Sequence, residues 1–293
     1  MTDKTSQRPD LPEITKDFFN VRKIFHDKNE NLAKIIPGFV YRYLERVIHQ
    51  DELNEFLYNN RKYYGLDFIA RIMEFFEVDP VVKRAERIPQ AGRYTIAANH
   101  PLGGLDGIAL MHEVGKVRKD IIFPVNDILM NIPTLQELFI PINKHGSNAE
   151  NIRIFNETFA SDMLLLYFPA GLVSRKQRGR IKDLEWMKTF LTKSKRYKRD
   201  IIPVYIGGRN TDFFYNLANL RKKLKIKANI EMLYLVDEMV KLKDKNFEII
   251  FGKPIPYTTF DRRFDDRKWA MMLKEHVYDL RLKPDAEFRY LKS

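Results

Sequence analysis

The chain has 293 residues, 44% hydrophobic and 13% aromatic, enough to bury a sizeable core in one large domain or two modest ones. With no cysteine, a disulfide framework, a thiolate zinc site and a cysteine nucleophile are all excluded. Fifty-one Lys and Arg against 39 Asp and Glu leave a formal charge of +12, which favours an anionic partner: nucleic acid, an acidic membrane surface or an acidic carrier protein.

In chain order, residues 1–14 read as a flexible tail carrying Pro9 and Pro12, without the apolar core of a signal peptide. Residues 15–85 form an expected N-terminal helical subdomain of about three helices. Pro37 suits a first turn, Asp51 suits a cap, and a third segment carries Phe68, Ile69, Ile72, Met73, Phe75 and Phe76. Its apolar stripes either pack on the rest of the chain or, with Arg42, Arg46, Arg61 and Lys62 nearby, rest in a lipid headgroup layer.

From Gly92 the rhythm alternates between strand and helix, which argues for an α/β domain over 86–293. Strands are expected at Tyr94–Ala98, Ile121–Val125, Leu138–Ile142, Met163–Phe168, Ile201–Ile206 and Phe247–Phe251. Helices are expected at Gly107–Val117, Ser147–Ala160 with Ser147 or Asn148 as cap, Ile181–Thr192, Phe213–Lys223, Ile230–Leu242 and Lys268–Leu282, with a short helical piece at Asn131–Glu137. The fold class is α/β: a mixed, largely parallel sheet flanked by helices, preceded by the helical subdomain. The longest apolar run, Met163–Val173, contains Pro169 and Gly171 and falls short of the ~20 residues that span a bilayer. A cytoplasmic protein, or one resting on the inner face of the membrane, is expected.

Two stretches carry chemistry. In YTIAANHPLGGLD, Tyr94 to Asp106, a strand ends at Asn99-His100 and the chain is broken by Pro101, Gly103 and Gly104. A histidine takes a proton from a hydroxyl best when a carboxylate holds its other nitrogen. Residues six apart on a helix lie about 240° around the axis, so His100 and Asp106 meet only if the glycines fold the chain back. Otherwise His100 ends the strand and Asp106 caps the next helix. His26, His49, His112, His145 and His276 have no comparable setting.

The second stretch is FPAGLVSR, Phe168 to Arg175, where Gly171 exposes main-chain N–H groups suited to an oxyanion. Arg175, Lys176, Arg178 and Arg180 make a cationic run suited to phosphate, or else a solvated charge cluster. The basic runs Lys193–Arg199 and Arg221–Lys227 read as solvated helix ends. They lack the interleaved aromatics of a nucleic-acid groove, so no nucleic acid is expected. Nothing points to a metal or a nucleotide cofactor.

NHPLGGLD, FIPINK (Phe139–Lys144), FPAGLVSR and Ile202-Pro203-Val204 resemble, in order, the four motifs of the glycerolipid (lysophosphatidic-acid type) acyltransferases. The variant HPLGGLDG…FPAG…SR, with the later GGRNTDFFYNLANL, is similar to their hemolysin-like branch, whose members acylate lyso-ornithine or related lyso-aminolipids. Five residues rather than four separate His100 from Asp106, Ala170 replaces the third-motif Glu, and Lys144 stands for the second-motif Arg.

The resemblance implies His100 as base and Asp106 as its partner. It implies substrate binding by Asn99, Gly103, Gly104, Lys144, Phe168, Pro169, Gly171, Ser174, Arg175 and Pro203. It further implies an acyl thioester donor on acyl carrier protein or coenzyme A, a lyso-lipid acceptor, an anionic membrane surface as partner, and no cofactor. The alternatives are a 1-acylglycerol-3-phosphate acyltransferase making phosphatidic acid, and a non-catalytic basic module that binds lipid or nucleic acid.

Overall fold

The computed structural model describes residues 12–125, 129–141, 149–226, 229–243 and 245–290. Residues 1–11 of the expected tail, Ile142 to Asn148 (with Lys144, His145 and both candidate caps), and Lys227 of the second basic run lie outside the described residues. Ile14, at the end of that tail, is buried.

Among the described residues five helices precede the sheet, where about three were expected: α1 (Val21–Lys28), α2 (Glu30–Ile35), α3 (Gly38–Val47), α4 (Gln50–Asn60) and α5 (Gly65–Phe76). Asn20 caps α1 by accepting the Lys23 N–H, and the left-handed His49 (φ 52°) separates α3 from α4. Pro37 immediately precedes α3, and Asp51 sits inside the first turn of α4 instead of capping it. The anticipated apolar stripe of α5 is buried at Phe68, Ile69, Ile72, Met73 and Phe76.

The remaining elements are β1 (Val81–Lys83), β2 (Tyr94–Ala98), α6 (Leu105–Val117), β3 (Ile121–Val125), β4 (Phe139–Pro141), α7 (Ala149–Ala160), β5 (Leu164–Tyr167), β6 (Arg175–Gln177), β7 (Arg180–Lys182), α8 (Thr189–Arg196), β8 (Asp200–Ile206), α9 (Asp212–Lys223), α10 (Leu235–Lys241), β9 (Glu248–Phe251) and α11 (Asp266–Asp279). Short 3₁₀ turns at Leu129–Asn131 and Pro133–Leu138 replace the helical piece near 131, and another at Ile230–Tyr234 leads into α10.

Among the described residues seven strands form one sheet in the order β1-β9-β8-β2-β5-β3-β4, with every neighbouring pair parallel except β8–β9. Side chains alternate between its faces. Ile96, Leu164, Leu166, Ile202 and Val204 join the core beneath α5 and α6. Ala97, Leu165, Tyr167, Ile201 and Tyr205 join the core under α8 and α11, with Trp186, Phe190, Trp269 and Leu273. Burial of both faces is why the central strands read as continuous apolar runs.

The expected helix Ile181–Thr192 is not formed. Arg178 (φ 48°) and Gly179 (φ 77°) both take left-handed backbone, reversing the chain in two residues and pairing β6 with β7 as a hairpin. The helix starts only at Thr189.

The last residue of the basic run Lys193–Arg199 is no solvated helix end. Arg199 is fully buried. Its guanidinium donates to the carbonyls of Phe159 (2.9 Å), Ser161 (2.7 Å), Tyr94 (3.0 Å) and Met163. It thereby ties the start of β2 to the loop between α7 and β5, and burial pushes its pKa down to about 10. Arg199→Ala leaves several buried carbonyls without a donor, an expected cost of about 3 kcal/mol and a thermal midpoint roughly 10 °C lower. The exposed Arg196→Ala serves as the control, and equal midpoints for the two variants would refute the role.

Candidate active site

The site begins where β2 ends. Asn99 is buried, and its amide continues the β2–β8 ladder one residue beyond the strand. Its Oδ1 accepts the Ile206 N–H (2.7 Å), and its Nδ2 donates to the Ile206 carbonyl (2.8 Å). That fixes the chain just before His100.

His100 is then held on four sides. Its main-chain N–H donates to Asp183 Oδ1 (3.1 Å), and its carbonyl accepts the Ser174 N–H (2.7 Å). Its ring stacks on Phe168, with centroids 4.2 Å apart and planes 21° from parallel. Its Nδ1 lies 3.0 Å from Asp106 Oδ2.

Asp106, in the first turn of α6, is fully buried, whereas the His100 side chain keeps 15% of its surface. The carboxylate also accepts the N–H groups of Leu102 (2.8 Å), Gly103 (3.2 Å) and Gly107 (2.9 Å). Asp106 is therefore the histidine's partner and not the cap of the helix: α6 starts at Leu105, Gly104 occupies the cap position, and no side chain caps it. With Nδ1 donating to the carboxylate, Nε2 is the ring nitrogen that carries the free lone pair.

The fifth intervening residue is absorbed at Gly103, whose φ of +91° closes the turn. The turn is roofed by α10: a Cβ at Gly103 would come 2.7 Å from Leu235, and one at Gly104 would come 2.6 Å from the Met239 sulfur.

The other expected site residues divide. Pro169 and Gly171 lie in the turn after β5, where the Gly171 N–H donates to the Phe168 carbonyl (3.0 Å). That N–H is therefore not a free oxyanion donor, because the turn itself consumes it. Ser174 is buried and donates to Asp183 Oδ1 (2.6 Å).

Arg175 also turns inward. It pairs with the fully buried Glu231 (2.9 Å), donates to the Val173 carbonyl (2.8 Å), and has its pKa lowered chiefly by burial. A phosphate site at Arg175 does not fit this placement, since a desolvated guanidinium needs its carboxylate. Pro203 lies within β8, opposite Ala97, with its carbonyl accepting the Gly252 N–H (2.8 Å).

Sequence reasoning missed Asp183. It is buried, and its oxygens accept from His100, Ser174 and the Trp186 indole N–H (2.8 Å), while its own N–H donates to the Tyr278 hydroxyl (2.7 Å). Burial pushes the Asp183 carboxyl up and raises the Tyr278 hydroxyl well above its ordinary value. The sequence offers only a lone acid between Lys182 and Leu184, and the partners that tie it to the site, His100 and Tyr278, lie 83 and 95 residues away. Glu231, which bridges Arg175 and Arg221 (2.7 Å), was missed for the same reason.

Residues 23–287 match the family described as Acyltransferase, and the chain belongs to that family. Two relatives are each 48% identical and carry the name lyso-glycine lipid O-acyltransferase. The protein of Bacteroides thetaiotaomicron aligns over 267 residues, 89% of this chain and 97% of its own length. That of Phocaeicola vulgatus aligns over 263 residues, 89% of this chain and 94% of its own. Among solved structures, the 1-acyl-sn-glycerophosphate acyltransferase of Thermotoga maritima superposes with a TM-score of 0.49 and 17% identity, covering 92% of this chain and 100% of that one.

Asp106→Asn keeps the shape but puts an amide against Nδ1, and kcat for acyl transfer is expected to fall on the order of 10³-fold. Asp183→Asn exchanges one acceptor oxygen for a donor against Ser174 or Trp186, and should lower kcat about tenfold by loosening the main chain at His100. Steady-state rates beside thermal midpoints check both. A folded Asp183→Asn protein with wild-type kcat would remove that carboxylate from the site.

Proposed function

We propose that this acyltransferase moves a fatty acyl group from a thioester, on acyl carrier protein or coenzyme A, to the hydroxyl of a lyso-lipid. The acceptor is a lyso-glycine lipid, the one in the names of both relatives. The observation that carries the mechanism is the 3.0 Å contact between the partly open His100 ring and the fully buried Asp106.

Nε2 of His100 takes the acceptor's hydroxyl proton as the oxygen attacks the thioester carbonyl. The N–H of Gly104, for which no acceptor is found among the described residues, serves as the donor to the developing oxyanion in this reading. Collapse breaks the C–S bond, and the thiolate leaves with the proton from the imidazolium. The products are an O-acylated lipid and a free thiol. Asp106 holds the ring's tautomer throughout and stabilises the transient cation. Lysophosphatidic acid is a weaker acceptor candidate, because Arg175 is committed to Glu231.

The protein works from the inner membrane surface. Ile35, Phe39 and Tyr43 of the N-terminal helices, Phe213 and Leu220 of α9, and Leu224 just after it are exposed, and Arg42, Arg46, Lys222 and Lys223 lie on α3 and α9. The Tyr43 hydroxyl lies 2.9 Å from that of Tyr234, whose ring meets Phe213 at 5.0 Å, so the two apolar patches adjoin. Tyr234 leads directly into α10, the roof of the Gly103-Gly104 turn. No described helix is long and apolar enough to cross a membrane, so attachment would be interfacial. In this reading residues 15–85 and α9 share the attachment surface, and the rest of 86–293 serves catalysis.

An assay with labelled acyl carrier protein or acyl-coenzyme A against lyso-glycine, lyso-ornithine and lysophosphatidic acid lipids should show transfer to the glycine lipid. His100→Ala should lose about 10³-fold. Transfer at wild-type rate by that variant would sink the mechanism. Phe39→Ser and Phe213→Ser should each weaken sedimentation with anionic vesicles at low salt severalfold, and wild-type protein that does not sediment would disprove the membrane reading.

A further inference from the structure

A cavity of about 520 Å³ opens beyond the carboxyl ends of β2 and β8, and nothing in the acyl-transfer mechanism uses it. We propose that it receives the anionic headgroup of the acceptor lipid, with Arg209 and Arg281 pairing with the carboxylate. This inference rests on the acyl-transfer reading and deepens it.

Position is the first argument. Open α/β sheets take ligands in the crevice outside the carboxyl ends of their strands. Asn99 and Pro101, the residues on either side of His100, both line this cavity. Its lining includes Ser174 and Tyr278, two of the groups that bond to Asp183, and Asp183 in turn holds the main chain of His100.

Charge is the second. Arg281, on the turn after α11, is exposed and makes no ion pair among the described residues. Arg209, in the segment GGRN that follows β8, donates to the Asn210 carbonyl (3.3 Å), and its one ion pair among the described residues is a solvent-exposed pair with Asp212 (2.6 Å, side chains 50% and 59% exposed), the kind worth little. The one acid in the lining, Glu248, is matched by Lys83 at 2.7 Å. The cavity therefore has a net positive wall, whereas the cation first expected to meet the headgroup, Arg175, is internally neutralised.

Chemistry is the third. Glycine has no hydroxyl, so in a lyso-glycine lipid the accepting hydroxyl sits on the attached chain. Linkage through the amine leaves a free carboxylate, and linkage through the carboxyl leaves an ammonium. A wall of two arginines selects the first, since a guanidinium fork matches a carboxylate's two oxygens.

The test is steady-state kinetics with a hydroxylated N-acylglycine, its methyl ester and lysophosphatidic acid as acceptors, using wild-type protein, Arg209→Gln and Arg281→Gln. Both arginines are exposed, so the variants should keep the wild-type thermal midpoint. Wild type should show a KM about tenfold lower for the acid than for the ester, the loss expected for one charge-assisted contact. Each variant should raise the acid's KM toward the ester's while leaving the KM values of the ester and the acyl donor in place. Variants that keep the wild-type acid-to-ester ratio would overturn the proposal. If lysophosphatidic acid is the better acceptor with the same dependence on both arginines, the anion site stands and its ligand is a phosphate. Acyl transfer to none of the three acceptors would overturn the functional reading and this site with it.

Discussion

The structure turns on one buried carboxylate. Asp106 has no solvent to satisfy it, so every lone pair must find a donor inside the protein, and the donors are the main-chain N–H groups of Leu102, Gly103 and Gly107 and the His100 ring. The requirement works in both directions. The carboxylate closes the turn between β2 and α6, and the closed turn presents the histidine at the sheet edge. A wider turn would lose donors and histidine together.

The same rule governs the rest of the site. Asp183 collects N–H and O–H groups from three separate segments, and Glu231 collects two arginines. Each buried acid joins pieces of chain that share no secondary structure: the end of β2, the FPAG turn, the β6–β7 hairpin, α9 and the 3₁₀ turn before α10. The same demand of buried polar groups for partners explains how a chain with a net charge of +12 hides two arginines in its interior: Arg175 is held by Glu231, and Arg199 by four main-chain carbonyls. Both guanidiniums serve as internal ties.

The proposed attachment surface and the His–Asp turn are mechanically close. The exposed apolar side chains of α3 and α9 meet at Tyr43, Phe213 and Tyr234, and the helix following Tyr234 rests on Gly103 and Gly104 of that turn. A surface that inserts into lipid at one side of α10 would thus bear on the residues at its other side.

Much of this was legible in the amino-acid order. The β2, β3, β5 and β8 strands stand out because strands buried on both faces are written as unbroken apolar runs, and the stripe of α5 shows because one face of it is buried. His100 and Asp106 were legible as a pair because their partnership is local, six residues apart across a glycine-broken turn. The β6–β7 hairpin was not, because the left-handed backbone of Arg178 is not a preference of arginine. Asp183, Glu231 and the inward turn of Arg175 were not either, because a buried charge is chosen by partners that sequence distance conceals. Local periodicity and turn chemistry determine the strands and the His–Asp turn by short-range sterics and hydrogen bonding. Which charges face inward, and which cavity stands beside the histidine, is decided only when distant segments pack and desolvate each other.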